Sequence, residues 1–144
     1  MRIAMFCAAG LALQCVMTAA QTSETNPLST SRAFLYEDMA VRTAPNGGEG
    51  RRIFSGTLPT GEAVGAHETT QPVGAPPSAL HKIQHSEVIV VQQGTVELHH
   101  DGKVERVGPG GIIYVVLGTE HFVNNVGDVP AKYVVIQIGG DTKK

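Results

Sequence analysis

The sequence has no tryptophan, only two cysteines, and aromatic residues at 5% of its 144 positions. Both cysteines, Cys7 and Cys15, lie close to the amino terminus. A disulfide framework is excluded for the rest of the chain because it contains no thiol. Cys-x-x-Cys motifs, phosphate-binding loops and nucleophile elbows are absent as well. The folded part must therefore be stabilised by the packing of its core.

Charge is also scarce, since Asp, Glu, Lys and Arg together make up 17% of the residues and the formal net charge is -2. A basic surface of the kind that binds nucleic acid is not indicated by this balance. Hydrophobic residues make up 42% of the chain, enough for the core of one domain of this length. We expect a single domain whose partner is a small molecule.

The amino terminus contains one arginine, an apolar run from Ile3 and the small residues Ala19 and Ala20 before Gln21. This order is typical of a secretory signal peptide, which predicts a leader at 1–20 and an exported protein, periplasmic or secreted. After removal of the leader no membrane association is expected. Residues 21–31 are polar and without periodicity, which predicts a flexible linker.

Seventeen glycines and eight prolines, with no sustained helical stripe, favour an all-β chain of short strands. A first strand is predicted over 33–41, and a regular series of strands and turns follows from His81 onward. Asp101 and Gly102 mark a tight hairpin within that series. Short strands at this spacing predict a sandwich or an antiparallel barrel.

The segment Leu80 to Gly94 places two histidines and a glutamate directly before an apolar run. In an extended chain His81, Ile83, His85 and Glu87 would share one face, because side chains alternate along a strand. Imidazole and carboxylate ligands suit a divalent Fe, Mn, Zn, Ni or Cu ion and leave coordination positions open. A single histidine on such a face is usually structural, but a cluster of this kind suggests a metal site.

Two stretches of the sequence resemble the motifs of the cupin family. The first motif, G(X)5HXH(X)3,4E(X)6G, is met by Gly74, His81, Glu87 and Gly94, with one extra residue between Gly74 and His81. The second motif, G(X)5PXG(X)2H(X)3N, is met by Gly110, Gly118, His121 and Asn125. Val116 stands where proline is usual. The resemblance implies a cupin-type antiparallel jelly-roll β-barrel over 32–140, followed by a short tail at 141–144.

The resemblance also implies a set of metal ligands, and the chain departs from that set. In the usual arrangement both histidines of His-x-His, the glutamate and the histidine of the second motif hold the metal; here Ile83 replaces the second histidine. Either His81, Glu87 and His121 form a three-ligand site, or His85 supplies a fourth ligand after a local shift of the backbone. The catalytic candidate is Glu87, as a ligand or a proton acceptor.

The expected function is that of a cupin that binds a divalent metal and a small organic ligand in the barrel mouth, as a metal-dependent oxygenase such as a dioxygenase, or as an isomerase. The alternative is a metal-free module that binds a sugar or another small molecule without turnover. A third possibility is a mainly structural barrel that dimerises through an edge strand. Family habit implies a homodimer in each case. The fold alone does not select a reaction.

Overall fold

The computed structural model describes residues 26–140. The predicted leader at 1–20, the first part of the predicted linker and the predicted tail at 141–144 lie outside these residues. Within them the chain forms one short 3-10 turn, Tyr36–Asp38, and ten strands. The strands are β1 (Val41–Thr43), β2 (Glu49–Thr57), β3 (Ala63–Gln71), β4 (His81–Lys82), β5 (Ser86–Gln93), β6 (Val96–His100), β7 (Lys103–Val107), β8 (Ile112–Val115), β9 (Glu120–Asn125) and β10 (Ala131–Ile138).

The strands form two antiparallel sheets that face each other. The larger sheet has the order β1-β2-β3-β10-β5-β8, and the smaller has the order β4-β9-β6-β7. No helix of the described residues is long and apolar enough to cross a lipid bilayer. The prediction of an all-β chain with an antiparallel architecture is confirmed.

The core lies between the two sheets, and strict alternation along the strands builds it. On β5, Glu87, Ile89 and Val91 are buried while the residues between them are only partly so. On β10, Ala131, Tyr133 and Val135 are buried in the same way. Alternation of this kind places one face of each strand inward. The inward apolar side chains of both sheets pack into one cluster, which consists of Ile83, Ile89, Val91, Val96, Leu98, Ile113, Val115, Val123, Ala131, Tyr133 and Val135.

The predicted first strand, 33–41, is wrong. The 3-10 turn interrupts it, and β1 begins only at Val41. The segment has no ladder partner before β1; its side chains hold it instead. The ring of Tyr36 lies under the guanidinium of Arg51, at 4.6 Å, and near Lys132 Nζ, at 4.9 Å. These cation–π contacts stabilise the segment in place of a strand ladder.

Asn26, in the predicted linker, contacts β2 directly. Its side-chain Nδ2 donates to the carbonyl of Thr57 at 2.7 Å, and its Oδ1 accepts from the backbone N–H of Thr57 at 3.2 Å. The amide thereby pairs with both polar groups of one residue at the end of β2. The flexibility predicted for 21–31 stays a prediction, and this contact lies within that range.

The tight hairpin predicted at Asp101 and Gly102 is present between β6 and β7. Both residues have positive φ, 47° and 72° respectively. Two consecutive positive φ angles are what a type I′ turn requires, and its twist matches that of the flanking strands. His100 and Lys103 pair directly across this turn.

A buried amide network closes the end of the barrel where β9 leaves the small sheet. Asn125 is 5% exposed, and its Nδ2 lies 3.0 Å from the carbonyl of Val129 and 3.1 Å from that of Gln71. Its Oδ1 accepts from the backbone N–H of Gly127 at 3.0 Å. Asn125 thus connects β3 to the loop that leads into β10.

Asn125→Ala is expected to lower the free energy of unfolding by about 2 kcal/mol, because several buried backbone groups lose their partner at once. Urea denaturation measures this change. The matched control is Asn124→Ala, whose side chain lies on the opposite face of β9 and whose loss should cost less than about 0.5 kcal/mol. Equal losses for the two variants would contradict the assigned role.

Candidate metal centre in the barrel mouth

A cavity of about 400 Å³ opens between the two sheets at one end of the barrel. All four residues predicted as metal ligands line it, and so does the isoleucine at the departure from the first motif. Its described lining consists of His67, Thr69, Ser78, His81, Ile83, His85, Glu87, Ile89, His121, Val123, Tyr133, Val135 and Gln137. The structure therefore brings the predicted residues together on one concave surface.

The segment that carries three of these residues is not extended throughout: β4 ends at Lys82 and β5 begins at Ser86. His81 pairs with His121 of β9 in the small sheet, whereas Ser86 pairs with Ile138 of β10 in the large sheet. Between them the chain crosses from one sheet to the other, and the carbonyl of Ile83 accepts from the N–H of Gly118 at 3.0 Å. The crossing lets side chains from both sheets face one cavity.

Glu87 lies at the centre of the site, and its two carboxylate oxygens face different histidines. Oε1 is 2.9 Å from His85 Nε2, and Oε2 is 3.4 Å from His121 Nε2. Gln137 Nε2 also approaches Oε1, at 3.4 Å, and lies 3.0 Å from His85 Nε2. Glu87 is 6% exposed, and His85 and His121 are 7% and 2% exposed. These polar groups are buried and satisfied mainly by one another.

Opposing effects set the pKa of Glu87. Burial raises it, but hydrogen bonds from His121, His85 and Gln137, together with the charge on His121, outweigh burial and lower the pKa to about 2. Hydrogen bonds donated to a carboxylate favour its ionised form and so lower the pKa of the carboxyl group. At neutral pH Glu87 is therefore a carboxylate.

The two histidines of the small sheet are oriented by backbone carbonyls. His121 Nδ1 lies 3.3 Å from the carbonyl of Thr119, and His81 Nδ1 lies 3.0 Å from that of Ala79. With Nδ1 held by a carbonyl, Nε2 is the nitrogen of each ring that can ligate a metal, and in His121 it does so only after loss of the proton that bonds to Glu87. The two rings lie 4.7 Å apart between centroids. His81 is the more exposed of the two.

Ile83 occupies the position where the first motif has its second histidine. Its side chain is 7% exposed, lines the cavity and belongs to the apolar core cluster. An aliphatic side chain adds no donor there. It covers one wall of the site and excludes water from it.

Two cavity residues, Gln137 and His67, are not part of either sequence motif. Gln137 continues the series of inward-facing residues on β10 after Tyr133 and Val135. A polar residue at the next inward position was the sequence signal that could have identified it. His67 lies on β3 and pairs with Val135 of β10. Only this pairing shows that His67 faces the cavity. Burial lowers the pKa of His67, Glu87 raises it, and His85 and Arg52 lower it further.

Other polar residues of the sequence lie elsewhere. His99 stacks on Phe122 with the ring centroids 4.3 Å apart, and His100 bonds to Asp101 and Glu105 beside the hairpin. None of these lines the cavity. They are contacts of the barrel's outer surface and its turn.

The donor set suits a divalent transition metal in its chemistry, because imidazole and carboxylate are its ordinary protein ligands. As arranged, however, no group of three or more His, Cys, Asp or Glu side chains within residues 26–140 forms a ready-made metal site. The histidine and carboxylate donors bond to one another instead.

Comparison with known proteins identifies the family. No curated protein matches the sequence. Among solved structures, the fold is similar to KdgF from Halomonas sp., with a TM-score of 0.63, 18% identity, and coverage of 78% of this chain and 97% of the other. A predicted oxalate decarboxylase from Thermotoga maritima gives a TM-score of 0.59 at 18% identity, covering 74% of this chain and 98% of the other.

A cupin-superfamily sugar phosphate isomerase from Silicibacter pomeroyi gives a TM-score of 0.60 at 19% identity, covering 74% of each chain. Identities this low show a shared fold and leave the reaction open. The sequence pattern of the cupin domain matches residues 66–137, which is half of the chain and includes both motifs. The barrel, its paired sheets and this match together place the chain in the cupin family.

Proposed function

We propose that the barrel mouth binds a divalent transition metal and a small organic ligand. The observation that carries this proposal is the arrangement around Glu87, where imidazole Nε2 atoms from two elements face the two oxygens of one buried carboxylate. The cavity beside it, about 400 Å³, leaves room for a small molecule.

The separations between donors are of the size that a metal site requires, although the donors bond to one another in this structure. Ligands at about 2.1 Å from a metal, and at right angles to one another, are separated by about 3 Å. The distances from Glu87 to His85 and to His121, 2.9 Å and 3.4 Å, are close to that separation. This geometry favours the model in which His85 takes part. His81, whose ring lies 4.7 Å from that of His121, is the fourth member of the predicted set.

A divalent metal bound here would supply a Lewis acid able to polarise a carbonyl or hydroxyl oxygen, as an isomerase would use, or, if redox-active, open positions for activating dioxygen, as an oxygenase would use. Glu87, whose pKa is about 2, is a weak base and an effective ligand, so its low pKa supports the ligand role over that of proton acceptor. Gln137 offers an amide beside the same carboxylate. Ile83 and Ile89 exclude water from one wall.

A metal-free binding module is the second candidate function, and a specific observation favours it. His85, Glu87, His121 and Gln137 already satisfy much of one another's hydrogen bonding, and no preformed metal group is present among the described residues. A buried polar network that is complete without an ion is also what a sugar-binding cavity would need.

Elemental analysis of the purified protein and isothermal titration with Fe, Mn, Zn, Ni and Cu test the proposal. We expect binding by the wild type, and tighter binding, by about tenfold, after Ile83→His, because a fourth imidazole would join a rigid wall of the cavity. Ile112→His is the matched control, since Ile112 is 68% exposed on β8, away from the cavity. No binding by either the wild type or Ile83→His would leave the metal-free module as the function.

A further inference from the structure

A second pocket adjoins the cavity and is lined by arginines. It has a volume of about 230 Å³ and shares His67 and Gln137 with the cavity. Arg42, Arg51 and Arg52 line it, and no aspartate or glutamate of the described residues does. We call this pocket the arginine groove. The arginine side chains therefore give the groove a positive charge.

Strand pairing shows that the arginine groove continues the inner face of the large sheet. Arg52 pairs with His67, and His67 pairs with Val135, a cavity residue of β10. Arg42 pairs with Gly50, which in turn pairs with Thr69 of the cavity. Residues directly opposite in a ladder share a face. Both arginines therefore lie on the inner face of the large sheet, which also carries Glu87.

The two pockets meet at Gln137, whose neighbour on β3 is a glycine. Gln137 of the cavity pairs with Gly65 on β3, and Glu87 pairs with Gln137 on the other side. Gly50 has no side chain beside Arg42, and a Cβ there would meet only the Arg42 carbonyl, at 4.0 Å. At about 4.8 Å between neighbouring strands, β10 and β2 are separated by about 10 Å. A molecule of monosaccharide size spans that distance with the help of a long arginine side chain.

The three arginines differ in what they already contact. Arg51 lies over Tyr36, pairs with Glu49 at 3.6 Å and donates to the carbonyl of Met39. Arg42 has no carboxylate partner among residues 26–140, and Arg42 and Arg52 are both exposed. Arg51 is thus a structural contact, Arg42 presents its guanidinium group to the groove, and Arg52 lines the groove with a contact of its own.

We propose that the arginine groove binds the oxyanion group, carboxylate or phosphate, of a small organic ligand whose other end reaches Glu87 and Gln137. Guanidinium groups bind such oxyanions by paired, charge-assisted hydrogen bonds. This inference rests on the proposed function in one respect, namely that the ligand extends into the cavity. It specifies an anionic ligand where the proposed function left the charge open.

Three sugars that differ only at carbon 6 test the proposal by isothermal titration: D-glucuronate, D-glucose 6-phosphate and D-glucose. We expect at least one of the two anionic sugars to bind more tightly than glucose. Arg42→Gln and Arg52→Gln should each weaken that binding by about tenfold, and the double variant by more. Arg106→Gln, on the small sheet, is the matched control and should leave it unchanged. Preference for one anion identifies the carboxylate or the phosphate as the recognised group.

The same titrations, repeated after EDTA treatment and without added metal, separate this inference from the metal proposal. If the wild type binds no metal but the arginine variants still weaken anion binding, the groove is supported and the metal site is wrong. If no anionic sugar binds the wild type more tightly than the double variant, the groove proposal is wrong whether or not metal binds. Equal weakening by Arg106→Gln would also overturn it.

Discussion

Glu87→Gln is expected to lower the affinity for a divalent metal by about 100-fold or more. The substitution preserves size but replaces a buried, ionised carboxylate with a neutral amide, which is a much poorer ligand. Both oxygens of Glu87 face imidazole nitrogens, so the loss removes the central donor of the site. Titration calorimetry with the metals named above measures the change, and circular dichroism verifies that the strands are retained.

The histidine variants decide which ligand set is used. If His85→Ala weakens metal binding as strongly as His121→Ala, His85 is a ligand; if only His81→Ala and His121→Ala weaken it, the three-ligand site is correct. His99→Ala is the control, because His99 stacks on Phe122 outside the cavity. Unchanged affinity in Glu87→Gln would show that any metal bound by this protein lies elsewhere.

Gly94→Ala is expected to destabilise the protein by about 4 kcal/mol, enough to unfold a domain of ordinary stability in part. Gly94 has a φ of 74°, a conformation that costs an L residue about 1–3 kcal/mol. An added Cβ would also lie 2.7 Å from Ala131 Cα and 2.9 Å from the Pro130 carbonyl. Backbone atoms cannot move aside as a flexible side chain can, so relieving this overlap costs roughly another 1–3 kcal/mol.

Gly102→Ala separates the two contributions to that loss. Gly102 has nearly the same φ, 72°, but an added Cβ there would meet nothing within 4 Å. Its cost should therefore be the conformational part alone, about 1–3 kcal/mol. Urea denaturation of both variants gives the difference. A similar loss in the two would mean that the approach of Gly94 to Ala131 is relieved at little cost.

The same glycine shows how far a sequence motif reaches. Its place at the end of the first motif predicted a turn after β5, and β5 ends at Gln93. The reason that only glycine fits includes its contact with Ala131, which begins β10 some 37 positions later along the chain. The local sequence pattern located the turn, and the contact with Ala131 explains why the turn requires glycine.

Most strands after His81, and the turn between β6 and β7, were predictable because both depend on neighbours in the chain. Alternation specifies which side chains of a strand can share a face, and Asp-Gly favours the positive φ angles of a tight turn. The segment 33–41 was not predictable in this way. Its apolar residues suggested a strand, but contacts of Tyr36 with Arg51 and Lys132, distant in sequence, stabilise a turn.

The β class, the cupin motifs and the residue types available to the site can all be read from the sequence. Tertiary structure alone decided that the chain crosses between sheets after His81, so that His85 lies against Glu87, and that Gln137, His67 and Arg52 join the same inner face. The physical reason is that strand pairing joins residues far apart in sequence. The pairing register of β3, β5 and β10 cannot be read from the sequence of any one of these strands. That register nevertheless determines which donor side chains lie next to one another in the site.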